Sequence, residues 1–391
     1  MKILIAHNRY QQAGGEDAVV QTEYDILKKY GEDVFLYERN NAELKTYSPL
    51  KKINFLLSLS WSKKSYQDFR SAIRKYSPDI VHFHNIFYMM TPAVYDACRD
   101  KHVPVVQSQH NFRPLCSNGL FFRDNHVCEE CLHHSLWRGV RHRCYHNSYI
   151  QSFFIARMLQ IQKQNQTWHK KIDRYIMASE FTKQKYVEAG ISAEKISIKP
   201  HALLQSPNPS RHPSDYALFV GRLSTEKGIE VLLKAWEPVQ NTKLKIMGNG
   251  PLLNSLQDYI RNKKITNVEF LGFRSQEDYE KDMQGAKFLI VPSTCYENFP
   301  RIFSEAYARG IPIIASRLGS MQHLVVEGKT GLTFEAGNHE DLTTKIRWAM
   351  DHPKELEQTS REAHRVFEEQ YTAPKNYALL MDIYQKTLHT S

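Results

Sequence analysis

Pro292-Ser-Thr-Cys-Tyr-Glu297-Asn-Phe-Pro-Arg-Ile-Phe-Ser-Glu305 joins a short apolar run, 287–291, to a helix-like segment. The run is apolar and β-branched, as a strand buried on both faces should be. Pro300 suits a first helical turn, where its missing N–H costs nothing, and Gly310 stops the helix before the next apolar run at 311–315. Glu297 therefore falls in a loop and Glu305 about one and a half turns into a helix. Both sit at the carboxyl end of a parallel strand, where open α/β sheets bind ligands. A carboxylate accepts hydrogen bonds from two hydroxyls at once, and the free N–H groups of a helix start favour an anion. The pair points to a ligand with both hydroxyls and phosphate; in isolation it reads equally well as two solvated surface charges.

Strand-like runs alternate with helical patterns from end to end. They fall at 2–6, 33–36, 80–83, 103–107 and 174–178, then at 216–220, 243–247, 268–271, 287–291 and 311–315. This rhythm predicts an α/β chain with two doubly wound parallel sheets. The Pro- and Ser-rich stretch 201–214 reads as a linker between a first domain, 1–200, and a second, 215–372. Helical patterns follow at 341–350 and 353–370, with a last one in 373–391.

The length of 391 residues allows about two domains. A hydrophobic content of 41% with 24% charged residues supplies enough apolar mass for two cores. No stretch approaches the roughly 20 apolar residues of a membrane span, and the N-terminus reads as a strand rather than a signal peptide. A cytoplasmic protein with its six cysteines reduced is expected. The net charge of +10 suits nucleic acid, anionic lipid or phosphorylated ligands. No nucleic-acid module signature appears, so no nucleic-acid partner is expected. Residues 50–64 place an apolar centre with Trp61 between two lysine pairs, a segment able to lie in a membrane interface or to pack on its own domain.

Further candidates gather at strand ends. Gly221-Arg222-Leu-Ser-Thr-Glu-Lys227-Gly228 follows the 216–220 strand; arginine offers phosphate a bidentate fork and lysine a point charge. Gly248-Asn-Gly250-Pro251 lets a ligand approach the backbone, or simply makes a sharp turn. Adjacent glycines at Gly14 and Gly15, before a helix, form a candidate anion nest. His110 follows the 103–107 strand, and His82 and His84 share one face of the 80–83 strand. No G-x-G-x-x-G follows a first strand, which argues against a nicotinamide enzyme.

Together, the E-x7-E spacing of Glu297 and Glu305 and the upstream G-R-x4-K-G run resemble retaining glycosyltransferases of family 4, which have the GT-B fold: two Rossmann-like domains facing a cleft. The resemblance implies that the last helix, 373–391, crosses back to the first domain. It also implies donor pyrophosphate on Arg222 and Lys227, sugar hydroxyls on Glu297 and ribose on Glu305. Gly14, Gly15, Gly221, Gly248, Gly250, Phe273, Arg274, Asn298, Phe299, Pro300 and Arg301 would complete the donor site, and His110 would contact the sugar ring or acceptor. Asn298-Phe-Pro-Arg301 departs from the commoner Phe-Gly, and Pro300 removes one N–H donor to phosphate.

The implied reaction moves a sugar from a UDP- or GDP-type nucleotide sugar to a saccharide or lipid-linked saccharide, for surface polysaccharide or glycolipid assembly. No catalytic cofactor is expected, and the enzyme would be cytoplasmic or peripheral on the inner face of the membrane. A GT-B-fold epimerase or phosphorylase would use the same donor contacts. Cys116, Cys128, Cys131 and Cys144, within a Cys-rich insertion at 112–147, have a spacing that fits a structural zinc; reduced thiols and disulfides are the other readings. A zinc-dependent nucleic-acid-binding protein is the rival outside enzymes.

Overall fold

Among the described residues twelve strands pair in parallel, in two sheets of six, and each sheet has its own apolar core. The structure is a computed structural model that describes residues 1–11, 14–209 and 214–390. By contacts it divides into two units. One comprises Met1–Phe121, Cys128–Leu204 and the C-terminal segment from Ala373; the other comprises Phe122–Val127 and Gln205–Thr372. Residues 210–213 of the expected linker lie outside the described residues.

In the first unit the strands are β1 (Lys2–Arg9), β2 (Asp33–Asn40), β3 (Ile80–Phe83), β4 (Val105–Gln109), β7 (Arg174–Met177) and β8 (Ile196–Ile198). The short strands β5 (Phe122–Arg123) and β6 (His126–Val127) form a separate antiparallel hairpin. The sheet order is β2-β1-β3-β4-β7-β8, so chain direction across the sheet reverses between β1 and β3. Helix Gly15–Lys29 carries Val20 and Leu27 into the core beside Ile3, Ile5 and Ile80. The C-terminal helix Ala373–Thr390 adds Leu380, Ile383 and Tyr384 to the same cluster.

In the second unit the strands are β9 (Tyr216–Val220), β10 (Lys243–Met247), β11 (Val268–Gly272), β12 (Phe288–Val291), β13 (Ile313–Ser316) and β14 (Gly331–Phe334). Their order, β11-β10-β9-β12-β13-β14, is the doubly wound Rossmann arrangement, with its switch point between β9 and β12. Helix Ile229–Trp236 buries Leu232, Leu233 and Trp236 over this sheet.

Several boundaries differ from the sequence reading. The edge strands β8 and β14 are only three and four residues long and have no long apolar run to announce them. β4 and β13 begin at Val105 and Ile313, each just after a proline, which has no N–H for the ladder. Pro300 is the N-cap rather than the first helical residue, because its ψ of 117° is extended. Residues 50–64 are not one segment: helices Pro49–Leu57 and Lys63–Tyr76 are capped separately by Ser48 and Ser62.

Tyr384 ties the last helix to the first sheet by a 2.7 Å hydrogen bond with His82 Nδ1. Tyr384→Phe leaves that buried nitrogen without its partner and should cost about 1–2 kcal/mol, read as a lower urea midpoint for the first unit. An unchanged midpoint would contradict this role.

Candidate active site

In the second unit the site is built at the switch point. The loop after β9 carries Gly221, Arg222 and Lys227; the loop after β12 carries Glu297. Lys227 Nζ donates to Glu297 Oε1 at 2.6 Å, and Ser293 Oγ donates to the same oxygen at 2.8 Å. Ser320 Oγ donates to the Glu297 carbonyl at 2.7 Å, which fixes the loop from β13's side. Burial lowers the ammonium pKa of Lys227, but the neighbouring Glu297 carboxylate outweighs it, so the lysine is held charged. Gly228 has φ +67°, and a Cβ there would stand 1.8 Å from the Pro292 carbonyl oxygen. Only glycine permits that approach, which brings the two loops together. Gly248 and Gly250 do the same for the loop after β10, against the carbonyls of Gly221 and Leu223.

Glu305 lies in helix Arg301–Ala308, paired with Arg301 at 3.1 Å and accepting a short hydrogen bond from the Tyr279 hydroxyl. Phe299 is buried and packs edge-on against Tyr371 at 5.4 Å, while Asn298 is buried beside it in the chain. Arg222 is exposed, and its guanidinium makes no ion pair among the described residues. Phe273 is 84% exposed. Arg274 bends to the buried Asp282 at 3.0 Å, and Lys245 reaches the same carboxylate at 2.9 Å. The side chain of Arg274 is therefore already engaged by its own unit.

The first unit gathers its candidates at the β1/β3 switch point and the end of β4. His110 Nε2 and His84 Nδ1 are 2.9 Å apart, with the rings stacked at 5.1 Å. His82 is fixed between Tyr384 and Ser108, at 2.7 and 2.8 Å. Beneath them Glu23 accepts from the buried Lys199 at 2.6 Å and lies 3.5 Å from His84. Burial depresses all three imidazoles, His82 to about 4 and His84 and His110 well below the ordinary value. They are neutral, so His110 offers a hydrogen-bonding imidazole rather than a cation. Gly14 caps the first helix, its N–H donating to Asp17 at 3.0 Å. A Cβ at Gly14 or Gly15 would meet nothing within 4 Å among the described residues, so their packing does not call for glycine at either position.

A pocket adjoins His84 and His110, walled by Leu59, Tyr88, Met158, Leu159 and Trp168 among others. Sequence reading missed these residues, because apolar positions on helices look the same whether they line a pocket or fill a core.

Three of the four cysteines, Cys116, Cys131 and Cys144, lie near one another, and no zinc site is shown. Cys116 and Cys131 are in thiol–thiol contact; that contact lowers the Cys116 pKa and raises that of Cys131, to which Cys144 lies close enough to act electrostatically. Among the described residues, two groups bring three or more possible ligand atoms within 4.8 Å of one another. They are Glu23–His82–His84 and Glu129–His133–Glu188, and neither contains a cysteine. The N–H of Cys128 donates to the Phe121 carbonyl. Each carboxylate–histidine group already holds an ammonium, Lys199 on Glu23 and Lys185 on Glu129.

The buried imidazoles make stability depend on pH. Unfolded, each takes a proton near pH 6.5; folded, His82 resists until about pH 4. The unfolded chain therefore binds more protons across that window, and stability should fall as pH drops from 6.5 towards 4, by about 3 kcal/mol for His82 alone. Urea unfolding at stepped pH measures it, and a flat profile would refute it. Gly228→Ala should cost at least ~2 kcal/mol through the displaced Pro292 carbonyl and the left-handed φ, seen as a lower midpoint for the second unit.

Two family descriptions match adjoining parts of the chain: Glycosyltransferase Family 4 over residues 27–203 and Glycosyl transferases group 1 over residues 203–366. Among curated proteins, the uncharacterized glycosyltransferase MJ1178 of Methanocaldococcus jannaschii is 28% identical over 172 residues, 44% of this chain and 48% of that protein. The chain thus spans about half the length of that relative. Alpha-monoglucosyldiacylglycerol synthase of Streptococcus pneumoniae is 23% identical over 363 residues, 89% of this chain and 77% of that protein. Among solved structures, Anabaena Alr3699/HepE in complex with UDP-glucose superposes with a TM-score of 0.69 at 16% identity, covering 98% of this chain and all of that one. The chain belongs to the group 1, family-4-like glycosyltransferases of GT-B fold.

Proposed function

We propose that this chain is a retaining glycosyltransferase that moves a hexosyl group from a UDP- or GDP-type nucleotide sugar to a hydroxyl of a saccharide or lipid-linked saccharide. The observation that carries the reading is the Lys227–Glu297 pair held at the β9/β12 switch point, next to an arginine with no ion-pair partner among the described residues. A pyrophosphate needs cations, and a sugar needs a fixed acceptor of hydroxyl hydrogen bonds; this pair offers both within one loop contact. HepE, a structural neighbour, was solved with UDP-glucose, and the Streptococcus relative is a glycolipid synthase. The family match does not favour the epimerase or phosphorylase reading.

In this mechanism the bond from the anomeric carbon to the donor phosphate breaks as the acceptor oxygen bonds to the same face of that carbon. The acceptor proton passes to the departing phosphate oxygen. Arg222, Lys227 and the N–H groups at the start of helix Arg301–Ala308 stabilise the charge that builds on the pyrophosphate. Glu297 orients sugar hydroxyls, and Glu305 takes the ribose. The backbone at Gly248, Gly250 and Phe273 takes the base, and Gly14 and Gly15 admit the phosphates closely. Neutral His110 donates or accepts one hydrogen bond at the sugar or acceptor. No metal takes part in catalysis, and no nucleic acid is a partner.

Glu297→Ala should lower kcat roughly 100- to 1000-fold in a fold of unchanged midpoint. Turnover near wild type would remove the sugar-contact role. Lys227→Ala should weaken nucleotide-diphosphate binding by calorimetry about tenfold or more, and Arg222→Met should do the same; unchanged affinity in both would contradict the pyrophosphate assignment.

A further inference from the structure

Two segments of the first unit carry no aspartate or glutamate. Residues 44–67 contain Lys45, Lys51, Lys52, Lys63 and Lys64; residues 131–172 contain Arg138, Arg141, Arg143, Arg157, Lys163, Lys170 and Lys171. The fold packs these segments against each other. Phe55 and Leu56 of helix Pro49–Leu57 share one apolar cluster with Leu136 and with Ile155, Met158 and Leu159 of helix Tyr149–Gln164. Arg157 also reaches the Leu57 carbonyl at 3.5 Å.

Both segments expose large apolar side chains where a soluble helix would show polar ones. Helix Pro49–Leu57 has no buried residue at all and presents Leu50, Ile53 and Leu57 at helical spacing, Leu50 being 69% exposed. Helix Tyr149–Gln164 opens with exposed Tyr149, Ile150 and Phe153, Ile150 being 67% exposed, and Phe153 meets the half-exposed Trp137 at 5.6 Å. Trp61 stays about half exposed while its indole N–H donates to Asp96.

We propose that these two helices form one docking face for an anionic lipid bilayer. Aliphatic and aromatic side chains rimmed by cations, with no acid within either segment, match an interface in which apolar groups enter the acyl boundary and cations meet lipid phosphates. A second copy of this chain is disfavoured, because a two-fold contact would set these acid-free basic segments against each other. Nucleic acid would leave Leu50, Ile53 and Ile150 unrewarded. The buried sides of the same segments wall the pocket beside His110: Leu59 follows the first helix, and Met158 and Leu159 belong to the second. Resting on the glycosyltransferase reading, this assigns the pocket an acceptor that the membrane anchors.

Co-sedimentation with vesicles tests the face without any turnover. Wild-type protein should pellet with mixed phosphatidylcholine–phosphatidylglycerol vesicles, not with phosphatidylcholine alone, and salt should weaken the binding. Ile53→Glu with Leu57→Glu, and separately Ile150→Glu with Phe153→Glu, should each reduce that binding about tenfold or more. All four side chains are exposed, so folding should persist, and nucleotide-diphosphate affinity should stay at the wild-type value. Failure of wild-type protein to pellet with anionic vesicles at low salt would overturn the proposal, as would binding that either pair of substitutions leaves intact. A molecular mass that doubles with concentration in wild type and not in the variants would make the face a self-association surface and overturn it too. Loss of nucleotide affinity with Lys227→Ala, measured separately, tells failure of the enzyme reading apart from failure of the docking face.

Discussion

Everything at the second unit's switch point depends on how closely the loop after β9 approaches the loop after β12. That approach is set by Gly228, whose left-handed φ and missing Cβ let it pass beneath the Pro292 carbonyl. With the two backbones in contact, Lys227 reaches Glu297 at 2.6 Å, and Thr294 N–H closes onto the Glu226 carbonyl at 2.9 Å. The carboxylate is then fixed twice more, by Ser293 on its side chain and by Ser320 on its backbone. A carboxylate held by two donors, on a backbone held by a third, needs little rearrangement for the sugar contact proposed for it, which is what preorganisation requires. The same contact keeps the lysine charged, so its electrostatic contribution is in place before any phosphate appears.

The first unit solves the opposite problem. Its buried polar groups are arranged to carry as little net charge as possible. Glu23 is neutralised by Lys199, and the imidazoles above them are held neutral by burial, which outweighs the pull of Glu23 on His82. The C-terminal helix is part of that arrangement: Asn376 lies 3.4 Å from the Lys199 ammonium, and Tyr384 fixes the ring of His82. A neutral, hydrogen-bonded wall next to an apolar-lined pocket suits binding of an uncharged hydroxyl-bearing group better than binding of phosphate. The charged machinery and the neutral machinery therefore belong to different units.

Much of this was legible in the sequence. Alternating apolar runs gave both sheets, because strands buried on two faces leave an unmistakable pattern. Gly221, Arg222, Lys227 and Glu297 drew attention because glycine and charge gather at strand ends, and the fold brings Lys227 to Glu297; their roles toward a ligand belong to the proposal. Glu23 and Lys199 were not legible, since 176 residues separate them and each alone looks like surface charge. Arg274 entered through the resemblance, in a loop whose backbone would read the base; its pairing with Asp282, on a following helix, was not legible, because the two meet only in the fold. The contact of Cys116 with Cys131 was not legible either, because spacing along the chain does not say which sulfurs meet.

Charge gains meaning only when it is placed. The total of +10 is ambiguous between nucleic acid, lipid and phosphorylated ligands. The cations at the second unit's switch point account for little of it, since Lys227 is balanced by Glu297 and Arg301 by Glu305. Elsewhere charges pair within a helix, as Arg365 does with Glu362 and Glu369. The imbalance is concentrated where two acid-free segments pack together and expose aliphatic side chains. Lys64 and Lys171 find acids outside the segments, in Asp68 and Asp96, but cations in excess beside apolar groups kept in water incur a cost that folding alone does not repay. That cost has a physical reason once the same face meets a surface offering both negative charge and hydrocarbon.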